Sequence, residues 1–506
     1  MNRFTKKLRG YLPVAYLFTI IGIYLIACFY FLSSISDEEG NIVYIDELSP
    51  VFIILGVIAF VAWLVACVYA HFYYKMSGYE LTDKEIICFR GVLFKKKSII
   101  EYKKIHAVNE KQGLIQRMFG ISMLMVDSGA TATTNSAEVI IYEDKKVVEE
   151  LLYKLKNIDS PISIEKTDEV VDKTHLYQFT SIRKLIYSVL NVIGSLIAMA
   201  IIFGIIIIIF AFIGHSIEDG ITLIDLILLL VGSYFVINGI IFISQIVYSF
   251  VSLHDFNVTM EKDSLNINYG LFTKVNNTFK LNRIKGVKIE QGLIKRLFGF
   301  ATVKLELIGY DHISSSNQSN EAENALTTGL LIPLCKMSEV NNYLAEILPD
   351  YIPLEKDGKA KEFKVFMAMP TIITAIVLGL ILLCVSPLFL LINDPLLIVI
   401  IICSFILVFI VLELCYLLNA LFKYPQQSIS ISDDKITVYS GGITRVATVI
   451  KKENLIAIED VTTYHRAKKN IYSYSIHFHT NALTNVVRVE HLDLELRDKL
   501  LKLLKY

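Results

Sequence analysis

The chain has 506 residues, 54% of them hydrophobic, and its 49 Lys and Arg balance 49 Asp and Glu. Soluble domains carry a smaller apolar fraction, so the composition indicates a membrane protein. A net charge of zero leaves no global positive field for nucleic acid. At the usual ~150 residues per domain, this length predicts about three units.

Three long blocks of the sequence contain no Lys or Arg: residues 10–74, 185–261 and 365–422. Each block can hold two spans of ~20 residues, and a polar break divides each one. We therefore predict six transmembrane helices in three hairpins, near residues 11–32, 50–73, 187–213, 221–250, 366–391 and 396–421. The predicted domains are hairpins at 11–74, 185–251 and 365–422, each followed by a polar unit, at 75–160, 252–352 and 423–506.

All basic residues lie on one side of these spans, which the positive-inside rule assigns to the cytoplasm. We expect a multi-pass protein with its amino terminus and all three polar units in the cytoplasm. An alternative for the amino terminus stays open, because "LIAC" ending at Cys28 has the small-residue pattern of a lipidated bacterial cysteine. The apolar run continues beyond Cys28, as a spanning helix would.

A nine-residue phrase occurs twice, as "QGLIQRMFG" at 112–120 and "QGLIKRLFG" at 291–299. The match extends without a gap to Gly91 and Gly270, so the first two units are copies of one repeat. The shared positions are Gln112, Gly113, Leu114, Ile115, Arg117, Phe119 and Gly120 in copy one, and Gln291, Gly292, Leu293, Ile294, Arg296, Phe298 and Gly299 in copy two.

The third unit follows the same frame but has lost the phrase. Gly442 and Ile456 repeat the interval that separates Gly91 from the isoleucine 14 residues later, which places Lys468 near the arginine position and Asn470 near the final glycine. Asn adopts left-handed backbone angles more readily than most residues, so we predict that the turn persists there. This third unit is a divergent copy.

Within each unit, short alternating segments precede one amphipathic segment. In copy one that segment is "KKVVEELLYKLKNI" (145–158), whose apolar residues recur at helical spacing. The pattern predicts an antiparallel β-barrel or sandwich of about seven strands, capped by a carboxyl-terminal helix. The fold class is thus three transmembrane hairpins plus three such units.

The repeated phrase, placed in strand-rich units after pairs of membrane spans, resembles the bacterial pleckstrin-homology-like (PH-like) membrane proteins of the YdbS/YdbT family. The resemblance covers nearly the whole chain and implies a PH-like fold for each unit in a bacterial plasma membrane. It brings no catalytic residues. It also implies a companion protein with a single unit of this kind and a role in envelope homeostasis or tolerance of membrane-active agents.

Two hypotheses explain the phrase. In the first it specifies the fold: Leu114, Ile115 and Phe119 form a helical turn that plugs the barrel mouth, and glycines supply the flanking turns. In the second, Gln112, Arg117 and their equivalents Gln291 and Arg296 form a docking face for another unit, a partner or an anionic headgroup.

Ionisable residues in or beside apolar spans suggest function, and Asp225 and Glu413 are two of them. They support an alternative, in which the six helices form a transporter or lipid-handling protein. The "HFH" sequence at 477–479, with His465 and His491, lacks an assured third ligand, so we predict no metal site. "FKKKS" (94–98) could meet anionic lipid, although such runs are more often solvated strand edges.

The sequence contains no phosphate-binding glycine loop, dinucleotide fingerprint or H-E-x-x-H pattern. We therefore expect a non-enzymatic membrane scaffold without a cofactor. Its expected partners are membrane lipids, a protein of the same PH-like family and further copies of itself, and not nucleic acid.

Overall fold

The computed structural model describes residues 2–33, 45–105, 107–127, 139–156, 174–213, 223–261, 264–307, 329–358, 360–361, 371–377, 379–381, 395–478 and 485–504. Contacts within these residues divide the chain into two compact units. The first unit comprises Met1–Asp172 with Glu261–Lys280, and the second comprises Lys173–Met260 with Leu281–Tyr506.

Long apolar helices and short amphipathic or motif helices make up the helical part. In chain order they are α1 (Leu8–Ser33), α2 (Ile45–Met76), α3 (Leu114–Phe119), α4 (Lys145–Lys156), α5 (Ser181–Ile213), α6 (Leu223–Ser252), α7 (Leu293–Leu297), α8 (Met337–Ile347), α9 (Thr371–Ile381), α10 (Pro395–Lys423), α11 (Tyr464–Ala467) and α12 (Glu495–Leu504).

Within the described ranges, three helical segments are long and apolar enough to cross a membrane: Leu8–Cys28, Val51–Met76 and Val231–Ser252. A membrane part of the fold is therefore shown, whereas six spans are not. The polar breaks predicted between paired spans fall mainly on residues outside those the structure describes. In the first pair, the Trp63 indole Nε1 donates to the Pro13 carbonyl at 3.2 Å, which holds α2 against α1.

Copy one contains seven strands in two antiparallel groups. They are β1 (Asn2–Arg3), β2 (Gly78–Leu81), β3 (Glu85–Arg90), β4 (Lys96–Glu101), β5 (Ala107–Gln112), β6 (Ile121–Asp127) and β7 (Val139–Asp144). The order is β1-β2-β3-β4 in one group and β5-β6-β7 in the other. Their apolar faces enclose a core that the stripe of α4 completes with Val148, Leu151, Leu152 and Leu155, all buried.

Copies two and three follow the same plan. Copy two has β8 (Thr174–Gln178), β9 (Asn257–Glu261), β10 (Ser264–Tyr269), β11 (Lys274–Lys280), β12 (Ile284–Gln291), β13 (Phe300–Leu307) and β14 (Leu330–Lys336). Copy three has β15 (Ser428–Ile431), β16 (Lys435–Gly441), β17 (Arg445–Lys451), β18 (Leu455–Val461), β19 (Ile471–Phe478) and β20 (Asn485–Asp493). The helices α8 and α12 occupy the closing position of α4.

In copies one and two, the first strand comes before a pair of long apolar helices. β1 pairs with β2 across α1 and α2, and β8 pairs with β9 across α5 and α6. The Tyr177 hydroxyl of β8 donates to the Leu334 carbonyl at 2.8 Å, so this strand belongs to the copy-two fold. The helix pairs α1–α2 and α5–α6 are thus each inserted between two paired strands, and copy two begins earlier than the predicted boundary at residue 252. Hydropathy could not show this, because "THLYQ" has no periodicity long enough to assign.

Glycine occupies the equivalent turn of every copy, which is β3–β4 in copy one, β10–β11 in copy two and β16–β17 in copy three. Gly91, Gly270 and Gly441 have φ near +100°, and a Cβ there would lie 1.9–2.0 Å from the carbonyl oxygen three residues later. The third-copy frame predicted through Gly442 is therefore wrong by one residue. In the corrected frame Asn470 still meets the final glycine, and its φ of 54° confirms the predicted left-handed turn.

We predict that Gly270→Ala destabilises the protein by about 1–3 kcal/mol, because an alanine methyl cannot fit beside the Thr273 carbonyl at this φ. The matched control is Gly292→Ala, where a Cβ meets nothing within 4 Å. Thermal unfolding of the detergent-solubilised protein should show a lower midpoint for Gly270→Ala alone. Equal midpoints for the two variants would refute the steric argument.

Candidate interaction surface

The repeated phrase forms one short helix with glycines at both ends. In copy one, the Gly113 N–H donates to Gln116 Oε1 at 2.7 Å, and Gly120 ends α3 with φ of 66°. The Gly120 carbonyl accepts from the Lys145 N–H at 3.3 Å, and the Gly299 carbonyl likewise accepts from the Met337 N–H at 2.8 Å. The last glycine of the phrase therefore anchors the start of the closing helix in both copies.

The glutamine that opens the phrase is buried and bridges the loop. Gln112 Nε2 donates to the Ile121 carbonyl and Gln291 Nε2 to the Phe300 carbonyl, both at 3.0 Å. In copy three, Thr462 takes this position and donates to the Ile471 carbonyl at 2.7 Å. This contact holds the loop closed within one copy, and burial leaves the glutamines little surface for a partner.

The motif helix packs on the base of a membrane helix instead of filling a barrel mouth. Phe119 meets Tyr11 of α1 edge-on, with ring centroids 6.3 Å apart. In copy two, Lys295 Nζ lies 4.9 Å from the ring centroid of Tyr187 on α5. Leu114 is 49% exposed and Phe298 61% exposed, so the expected apolar plug is not formed. The phrase connects the strand-rich unit to the long apolar helix that follows its first strand.

Successive copies are joined through backbone pairing of strands. β5 of copy one pairs antiparallel with β11 of copy two, with Gln112 opposite Lys274 and Ala107 opposite Phe279. β12 of copy two pairs antiparallel with β17 of copy three, from Gln291 opposite Arg445. Aligned on the repeat, these registers are identical. We call each pairing an inter-copy joint.

The motif arginines lie at these joints. Arg117 Nη2 donates to the Leu271 carbonyl, in the β10–β11 turn, at 2.8 Å. The Arg296 guanidinium lies over the Phe422 ring at 5.8 Å, at the end of α10. In the corrected frame the third-copy residue is Ala467, and not the predicted Lys468. The motif arginine is thus present in copies one and two, each of which is followed by another copy in the chain.

At the second joint, one partly buried acidic side chain has two lysine partners, whereas two arginines have no acidic partner among the described residues. Burial alone would raise the pKa of Glu290, but Lys288 Nζ at 3.1 Å and Lys304 Nζ at 2.8 Å lower it to about 2. Burial, with Arg296 nearby, lowers the pKa of Arg445. Arg296 and Arg445 form no ion pair among the described residues, so this part of the joint could accept an anion.

Of the two ionisable residues predicted in the spans, one can be described. Glu413 on α10 accepts hydrogen bonds from two hydroxyls of α9, from Thr371 Oγ1 at 2.9 Å and from Thr374 Oγ1 at 2.8 Å. The Asp225 side chain lies outside the described set. Glu413 therefore links two helices. This is a structural role, and it is independent of any transport.

Of the four histidines in copy three, the two with described side chains, His477 and His491, have separate surroundings. His477 Nε2 lies 3.3 Å from Glu459 Oε2, and His491 is 3% exposed with φ of 63°. Where side chains are described, no group of three or more His, Cys, Asp or Glu is placed to hold a metal ion. The side chains of His465 and His479 are not among those described.

Comparisons with known proteins agree with this architecture. A family model described as "Bacterial PH domain" matches residues 41–158 and 185–347, more than half of the chain. "UPF0699 transmembrane protein YdbT" of Bacillus subtilis (strain 168) is 22% identical over 314 residues, which span 57% of this chain and 59% of that protein. No solved structure matches.

We predict that Arg117→Ala speeds amide hydrogen exchange in residues 274–280 about fivefold, because the loss of a charged hydrogen bond to Leu271 costs about 1 kcal/mol. Exchange measured by mass spectrometry should be unchanged in Lys154→Ala, an exposed α4 variant with the same loss of charge. If both variants exchange alike, the arginine does not stabilise the joint.

We predict that His491 makes copy three acid-sensitive. Burial, with Arg466 nearby, lowers its pKa to about 4, although Glu490 opposes this. Between pH 6.5 and 4 the unfolded chain binds a proton that the folded state excludes, so stability falls as the pH falls. His491→Asn keeps the positive φ and should reduce the drop in melting midpoint between pH 7.5 and 5. An unchanged drop would contradict this assignment.

Proposed function

Because the chain belongs to the bacterial PH domain family, we propose that it is a non-enzymatic membrane scaffold that holds three PH-like units side by side at the cytoplasmic face. The observation that carries this proposal is the inter-copy joint. Two joints in one register indicate that the repeat is built to add one unit to the next through its strand edges. An enzyme would need a cluster of reactive groups, which the joints do not provide.

The membrane arrangement is part of the proposal. Three helical segments of the described part are long and apolar enough to span, and α5, α9 and α10 occupy further predicted spans. With six spans in three hairpins, every PH-like unit lies on the same side as the amino terminus. Insertion of α1–α2 and of α5–α6 between two paired strands supports this, because it sets the first two units directly against their own helices.

The proposed biological role is envelope homeostasis or tolerance of membrane-active agents, together with a companion that has a single PH-like unit. The family resemblance motivates the companion, and the joints supply a chemistry for binding it. A related unit offers the same strand edges and the same hairpin turn. Anionic lipid headgroups fit the cations Arg296 and Arg445 at the second joint.

One observation favours a second candidate, a transporter or lipid-handling protein. Glu413 and its two threonines place polar groups between α9 and α10, which occupy two of the spans predicted from the sequence. Two hydroxyl donors would also satisfy a carboxylate that only ties the helices together. The scaffold account therefore assigns Glu413 to packing.

We predict that crosslinking in intact membranes, followed by mass spectrometry, recovers a second PH-like membrane protein bound to this chain. Arg117→Ala combined with Arg296→Ala should lower that yield severalfold at unchanged expression, and Glu413→Gln should change neither the yield nor survival under membrane-active agents. Loss of folded protein without selective loss of the partner would exclude docking through the arginines. Loss of survival in Glu413→Gln would favour transport.

A further inference from the structure

Copies one and three each keep one strand edge that has no neighbouring copy. β4 occupies in copy one the position of β11 and β17, and β18 occupies in copy three the position of β5 and β12. Among the described strands, β4 pairs only with β3, and β18 only with β19. These two edges are the complementary halves of a joint. Open edges of this kind pair readily with another chain.

The β4 edge lacks the covering strand of the joined edges, as the exposed fraction of its side chains shows. Ile99 is 50% exposed, whereas its equivalents Thr278 of β11 and Val449 of β17 are 6% and 0% exposed. Both equivalents lie opposite a residue of the preceding copy, Val108 and Val287. Burial of Ile99 therefore requires the strand that copy one lacks.

Apolar side chains are also exposed beside the two edges, in the β3–β4 turn next to β4 and in the short helix α11 after β18. In the first joint, the β10–β11 turn receives Arg117 from the motif helix of the preceding copy. The equivalent β3–β4 turn carries Leu93 at 85% and Phe94 at 91% exposure. The short helix α11, which holds the motif position in copy three, presents Tyr464 at 72% exposure. An aromatic contact there would take the place of the missing arginine.

Charge on the two edges is opposite. Lys95 precedes β4 and Lys96 and Lys97 are its first residues, whereas Glu459 and Asp460 lie near the end of β18. Glu459 has a contact with His477 at 3.3 Å and Asp460 one with Arg497 at 3.6 Å. Each contact has one exposed partner, the Glu459 side chain at 62% and the Arg497 side chain at 48%, and ion pairs of this kind contribute little and can rearrange. Opposite charges directly across strands favour pairing.

We propose that the β18 edge of one copy of this chain pairs antiparallel with the β4 edge of a second copy, in the register of the two internal joints. Alignment on those joints sets Asp460 opposite Lys97, Glu459 opposite Ser98 and Ile458 opposite Ile99. The inference rests on the proposed scaffold and names its partner as the same chain. A contact of this head-to-tail type generates rings or open filaments.

The intermolecular joint is weaker than the internal ones for two reasons. Its strands are not tethered in one chain, and Ala467 stands where Arg117 clamps the first joint. Assembly therefore depends on the density of the protein in the membrane. A reversible end contact allows the scaffold to grow and shrink.

The test uses disulfide formation between two full-length chains with different tags in the same membrane. One chain carries Ser98→Cys and the other Glu459→Cys, which the proposed register places directly opposite. Mild oxidation should yield a dimer with both tags, at least tenfold more than Ser98→Cys with Lys452→Cys, an exposed control for random collision. Unmodified tagged chains give the background from the native cysteines.

Charge variants check the register without introduced cysteines, by chemical crosslinking of the two tagged chains. Lys97→Glu or Asp460→Lys alone should lower the mixed-dimer yield about fivefold, and the two together should restore it. Lys146→Glu, on the exposed face of α4, should have no effect. Restoration shows that a variant which loses the contact is still folded.

No mixed disulfide, or a disulfide that closes within one chain when both cysteines are in it, would overturn the proposal. Capture of a smaller PH-like protein by the β18 cysteine would overturn it too, yet would leave the scaffold intact. The scaffold itself fails only if membrane crosslinking finds no PH-like protein at all, this chain included.

Discussion

The architecture depends on pairing between strands of successive copies. A PH-like unit ends in open strand edges, and an open edge exposes unpaired N–H and C=O groups. This chain covers such edges by pairing β5 with β11 and β12 with β17. The side chains at these contacts then become interior residues: Asn109 and Asn277, opposite each other in the first joint, are 2% and 5% exposed. Polar residues that would suit a free surface strand are thus held inside a continuous sheet.

The repeated phrase is understandable in this setting. Its glutamine closes its own loop, its last glycine receives the closing helix, its aromatic residue meets the membrane helix in copy one, and its arginine reaches the next copy there. One short helix therefore connects a PH-like unit to its hairpin and to its neighbour. Fold-specifying and docking hypotheses describe different residues of the same phrase. In the third copy, Thr462 and Asn470 retain the loop, but the arginine is absent because Ala467 occupies its position.

The sequence predicted those features that local periodicity and backbone chemistry determine. The stripe of α4 and the left-handed turn at Asn470 were predictable because helical spacing and the preferences of Asn are local. The strand before each hairpin was not, since β8 is short and separated from β9 by the whole hairpin. The joints were also missed. Their signal was weak: "KVNNTFK" looks like an exposed edge, yet Asn277 and Thr278 are buried and lie opposite the partner strand.

The most direct measurement is an experimental structure of the full-length protein in a lipid nanodisc, obtained by electron cryo-microscopy with a rigid antibody fragment bound. The account predicts backbone pairing in both joints, with Asn109 opposite Asn277 and Lys288 opposite Thr448. PH-like units separated by solvent, with β5 and β12 open at their outer edges, would contradict it.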